Sequence, residues 1–182
     1  MQKRSHKLLA HTLLTGCSGF DKRRFELAFL FGSFEPDCNP LSYLKGSIRG
    51  EKFRGHNFSN SQRYIHRQIL RLQNRSRWSL WQYYTLGKLT HYLADAFTFP
   101  HNETYQEGIA AHREYESRLR GQFAGYLEGK TPRAQRSCAD VFAAIDRLHR
   151  QYLRAASDRQ RDIRYILAAN GILLSSVLPQ IA

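Results

Sequence analysis

Residues 91–101 read HYLADAFTFPH, and residues 112–116 read HREYE. His91 and Asp95 are four apart, so on a helix an imidazole and a carboxylate sit one turn apart on one face, within reach of a single cation. Tyr92, Leu93, Ala94, Ala96, Phe97 and Phe99 fill the gaps around them. Such a helix belongs in a core, where charged groups need partners. It should end near Phe97, because Pro100 lacks an N–H and disfavours helix in the residue before it. The turn that follows presents His101. His112 and Glu116 repeat the spacing on the next helical stretch, which a short connection would lay antiparallel against the first. An isolated pair of this kind is usually a solvated pair. Two pairs bracketing a Pro-His turn within apolar sequence point instead to a metal centre.

The rest of the chain reads as further helices, at 60–74, 78–97, 104–128, 135–155 and 158–177, so the expected class is all-α. With 182 residues and 42% hydrophobic content, residues 1–182 should form one domain with a real core. Residues 1–17 are read as a helix with Ser5 as N-cap, Leu8, Leu9, Leu13 and Leu14 on one face, and Gly16 at its end. The alternative is a lipoprotein-type signal cleaved before Cys17, but its apolar stretch is short and interrupted by His11. The helix reading implies a cytoplasmic protein, and the signal reading an exported one. Residues 22–31 form a second helix that Gly32 should break, leaving Asp37 in an irregular turn after Pro36. On local sequence alone Asp37 is an ordinary Asx-turn acid. Arg63, Arg67, Arg71 and Arg75 read as a solvated helix face. Trp78, Trp81, Tyr83 and Tyr84 read as core, and neither His66 nor His149 as a ligand.

A formal charge of +13 and a pI near 10.1 imply an anionic partner: phosphate groups, nucleic acid or an acidic membrane surface. Cys17, Cys38 and Cys138 are odd in number and widely spaced. They give neither a C-x-x-C metal signature nor a disulfide framework.

These motifs resemble those of the zinc-dependent phospholipases C, whose helical fold is shared with the S1/P1-type nucleases. His91, Asp95 and His101 follow that family's pattern of a histidine, an aspartate four residues on and a second histidine after a proline turn. Pro100 sits one position later than usual. His112, Tyr115 and Glu116 reproduce the phospholipase H-x-x-Y-E, where the nuclease branch more usually ends in aspartate. The resemblance implies a multi-helix bundle with the metal site between helices, and it reverses the reading of Asp37, which becomes a zinc ligand that also orients the attacking water. It implies His56 as a further ligand and Phe53, in FRGH, as an aromatic lining the headgroup pocket. Asp37, His56, His91 and Asp95 would hold one zinc, and His101, His112 and Glu116 a second. His6, with Asp95 as a bridge, would hold a third. The secreted relatives use an N-terminal tryptophan at that third site. This chain has none before Trp78, and the amine of Met1, five residues before His6, would substitute.

Nitrogen and oxygen donors without thiolates suit zinc. Two or three ions would activate water for attack on a phosphodiester. The expected activity is therefore phospholipase C-type hydrolysis of a phospholipid or related phosphoester. The alternatives are a nuclease on the same scaffold and a basic helical module that binds nucleic acid or acidic lipid without chemistry. Choline preference has no support, since the acidic residue that contacts choline near the family's N-terminus has no counterpart.

Overall fold

The structure, a computed structural model, describes residues 1–38, 58–128, 138–155 and 158–178, with only the backbone given for 58–60. His56 and Phe53 lie outside the described residues. Among these residues the chain forms seven α-helices and no strand: α1 (Lys3–Gly16), α2 (Arg23–Cys38), α3 (Phe58–Gln73), α4 (Leu80–Ala96), α5 (Ile109–Leu127), α6 (Val141–Arg154) and α7 (Arg159–Val177). A 3-10 turn at Phe99–His101 follows α4.

Helix α4 is the axis of the bundle. A capping box starts it: the Ser79 hydroxyl accepts from the backbone near the N-terminus, and the Gln82 side chain accepts from the Ser79 N–H at 2.8 Å. Those contacts satisfy N–H groups that have no partner inside the helix. From Thr85 to Ala96 every residue is buried, because α2, α3, α7 and α1 all pack around it. Leu86, Leu89, Leu93 and Phe97 are wholly buried, each worth about 1.5–3 kcal/mol of hydrophobic stabilisation.

Three sequence expectations change here. Gly32 does not break α2; the helix runs on to Cys38, with Pro36 inside it. The reason is tertiary. Gly32 and Gly87 let the backbones of α2 and α4 touch: a Cβ at Gly32 would lie 2.1 Å from the Tyr84 carbonyl oxygen, and one at Gly87 would lie 2.1 Å from that of Phe29. This contact, the most extensive between any two helices, repays the poor helix propensity of glycine and proline. Asp37 therefore stands in the last turn of a helix, not in an irregular turn. At α1 the N-cap is Gln2, and Ser5 is buried within the helix. Finally, α5 packs chiefly on α7 and α1 rather than lying against α4, because the 3-10 turn and the connection at 102–108 carry the chain away from the α4 axis.

The aromatic residues near the start of α4 divide. Tyr83 is buried and stacks on Phe25, with ring centroids 4.4 Å apart. Trp78 is partly buried against the core. Trp81 is 67% exposed, contrary to its reading as core, because it projects from the first turn of α4, before the helix enters the bundle. No described helix is long and apolar enough to cross a membrane.

Candidate metal centre

Three helices converge at the buried C-terminal half of α4. His91 and Asp95 come from α4 itself, His6 from α1, and Asp37 from the end of α2. His6, His91 and Asp95 each offer a donor atom within 4.8 Å of the others. Asp95 divides its oxygens between them, with Oδ1 3.2 Å from His6 Nε2 and Oδ2 3.2 Å from His91 Nε2. The imidazole rings of His6 and His91 stack with centroids 3.8 Å apart. Asp37 approaches both, 3.7 Å from His91 Nε2 and 3.9 Å from His6 Nε2.

A second group, His101, His112 and Glu116, also offers donors within 4.8 Å of one another. Glu116 Oε1 lies 3.0 Å from His101 Nε2 and 3.1 Å from His112 Nε2. His101 arrives on the 3-10 turn, whereas His112 and Glu116 share a face of α5. The two groups adjoin through Asp95 Oδ1, 3.9 Å from His101 Nε2. The Met1 ammonium sits at this junction, 2.5 Å from Asp95 Oδ1 and 2.9 Å from both Glu116 Oε1 and His101 Nε2. A cation thus already occupies the space that two carboxylates and an imidazole enclose.

Burial governs the electrostatics. It drives the His6 imidazole down to about 3, with the neighbouring His91 adding to the effect, and it lowers His101 likewise. Both rings are then neutral at pH 7, the form that ligates a metal. Burial opposes the charge on Asp95, but the Met1 ammonium and His101, His91 and His6 outweigh it and hold this carboxyl well below its usual range. Glu116 is lowered too, since hydrogen bonds from His101 and His112 overcome its burial. Asp37 goes the other way, raised by burial to about 6.

The donor set fits zinc on an observation independent of any motif. His6 Nδ1 and Nε2, Asp37 Oδ2 and Asp95 Oδ2 are buried and make no hydrogen bond, although charged neighbours lie within 4 Å. Asp37 stands too far from the imidazoles for a hydrogen bond, at 3.7 and 3.9 Å. Buried polar atoms left in that state are costly, and a cation between them removes the cost. On His91 the other ring nitrogen, Nδ1, lies 3.0 Å from the Ser33 carbonyl oxygen. That contact assigns the proton to Nδ1 and leaves Nε2 as a lone-pair donor facing Asp95, the usual arrangement behind a ligating histidine.

The histidines set aside on sequence are otherwise employed. His149 is buried, with Nε2 3.2 Å from the Ala96 carbonyl and 3.1 Å from Asn102 Oδ1, so it ties α6 to the end of α4. His66 stacks on Phe142 at 4.2 Å. It also borders a shallow groove of about 460 Å³ along α3, lined by Arg63, Arg67, Leu70 and Arg71 and containing none of the clustered ligands.

Sequence reasoning missed one buried carboxylate near the centre, Asp162 on α7. Its signal was a charged residue sharing a helical face with Ile166, Ala169 and Leu173, all of them buried.

A family model described as zinc dependent phospholipase C matches residues 5–159. No curated protein and no solved structure matches the chain. The matched segment spans α1 to the start of α7 and so includes every clustered side chain from His6 to Glu116; the chain belongs to the zinc-dependent phospholipase C family.

Proposed function

We propose that this protein is a zinc-dependent phosphodiesterase of the phospholipase C type, which hydrolyses a phospholipid or a related phosphoester and releases the phosphorylated headgroup. The observation that carries the reading is the pair of adjoining donor clusters, with Asp95 between them and buried donor atoms left without hydrogen bonds. Asp37, His6, His91 and Asp95 would hold the metal at one cluster, and His101, His112 and Glu116 at the other. Bound zinc supplies Lewis acidity, which lowers the pKa of a water and offsets charge on the phosphoryl oxygens.

The remaining roles belong to the chain. Asp37, within 4 Å of His91 and His6, would orient the attacking water. Ser33 fixes the tautomer of His91 through its carbonyl. Asp95 keeps its charge and would hold a cation with His6 and His91. His56 and Phe53, outside the described residues, take the roles the family pattern implies, a further ligand and a headgroup contact. The formal charge of +13 draws an anionic substrate or an acidic membrane surface towards the protein.

The test is a pair of assays on zinc-loaded protein, one with short-chain phosphatidyl substrates and one with single-stranded DNA and RNA. Zinc-dependent release of phosphorylated headgroup, abolished by chelator, is expected. Zinc-dependent cleavage of nucleic acid without headgroup release would replace this reading with the nuclease, which the positive charge would also serve.

A further inference from the structure

We propose that Asp162, on α7, is a positioning residue for the second ligand cluster, holding in register the turn that bears His101 and the helix that bears Glu116. The proposal rests on the reading of His101, His112 and Glu116 as a zinc site. Asp162 is wholly buried. Its Oδ2 accepts from the Phe99 backbone N–H at 3.0 Å and from the Tyr115 hydroxyl at 2.9 Å, while Oδ1 accepts from the Tyr152 hydroxyl at 2.8 Å. Phe99 opens the 3-10 turn that ends in His101, and Tyr115 immediately precedes Glu116. One carboxylate oxygen therefore binds both ligand-bearing segments at once.

The fold makes that tie necessary. Helix α5 packs chiefly on α7 and α1, so direct packing on α4 does little to set Glu116 against His101. Helix α7 contacts both α4 and α5, and Asp162 is where it grips the two ligand-bearing segments by hydrogen bonds. Zinc–ligand bonds tolerate errors of only about 0.2 Å, far less than the play of a helix held by apolar packing alone. The far side of the turn is fixed separately, by Asn102 Nδ2 donating to the Ala96 and Thr98 carbonyls. Asp162 lies beyond the residues that the family pattern matches.

The experiment measures zinc equivalents and affinity, with the visible absorption of cobalt-substituted protein as a second readout of ligand geometry. It compares wild type with Asp162→Ala, Asp162→Asn, Tyr115→Phe and Tyr152→Phe. Asp162→Ala strips the Phe99 N–H and Tyr115 hydroxyl of their acceptor. It should weaken one zinc equivalent roughly 10- to 100-fold, the usual cost of losing an outer-shell support, and leave the other in place. Asp162→Asn should rescue: its amide oxygen can take the Oδ2 position and keep both bonds, and the Tyr152 hydroxyl can rotate to accept from the amide nitrogen.

The two tyrosine variants separate positioning from stability. Each removes one hydrogen bond to the same carboxylate, yet only Tyr115 belongs to a ligand-bearing segment. Tyr115→Phe should weaken the zinc, and Tyr152→Phe should lower thermal stability without touching it. Unchanged zinc affinity in Asp162→Ala, or equal weakening by both tyrosine variants, overturns the proposal. Should Asp162→Ala fail to fold, the tyrosine pair decides alone. A wild-type protein that binds no zinc defeats the functional reading itself, a different outcome from a wild type that binds zinc indifferently to Asp162.

Discussion

Replacing Asp95 by Asn is expected to lower phosphodiester hydrolysis by on the order of a thousandfold and to remove at least one zinc equivalent, while the helical fold persists. Asp95 is 1% exposed and faces His6, His91, His101 and the Met1 ammonium from its two oxygens. It belongs to the cluster of His6 and His91 and also lies 3.9 Å from His101 of the other, so the amide withdraws negative charge beside both at once. An amide also brings an NH2 into a space shaped for acceptors, where it would meet His6 Nε2 or His91 Nε2 at close range. The shape of the side chain is kept, so packing costs are small. Zinc analysis and kcat/KM on the same preparation check the result. A variant with wild-type zinc content and activity would show that Asp95 is not shared between ions.

Gly87→Ala should destabilise the fold by about 3 kcal/mol, at the upper end of overpacking costs, and should disturb the metal centre although Gly87 has no side chain to offer it. The added Cβ would stand 2.1 Å from the Phe29 carbonyl oxygen and 2.8 Å from the Ser33 nitrogen. Both are backbone atoms, so no side chain can rotate away and α2 must move off α4. Ser33 bonds His91, and Asp37 lies one turn further along α2, so both depend on that separation. Thermal unfolding checks the stability, and zinc affinity the coupling. An alanine variant that melts with wild type would mean that the two backbones have room to part.

The same glycine pair shows where the sequence could be read and where it could not. His91, Asp95, His101, His112 and Glu116 were legible because their spacings are local: i, i+4 on a helix and a proline turn require no knowledge of the partner element. The all-α class and the core role of α4 follow from the same local patterns. Gly32 and Pro36 are local signals too, but they point the wrong way. A glycine followed by a proline ends a helix in isolation, and only the touch of Gly87 across the interface makes continuation favourable. The path of α5 is likewise set by distant partners, in this case Tyr115 on Asp162 of α7. The place of His6 beside His91 depends on how α1 packs, which spacing cannot report.

Phosphodiester hydrolysis of this kind requires the clustered histidines and carboxylates to be a zinc centre. Metal analysis of the protein, purified without chelator and reconstituted with zinc, tests it most directly. The two adjoining clusters predict at least two zinc ions per chain, released by EDTA with a marked fall in melting temperature, because buried donors then lose the cation that satisfies them. No more than trace zinc after reconstitution, with a melting curve unmoved by EDTA, would contradict the metal centre and leave a basic helical binding module in its place.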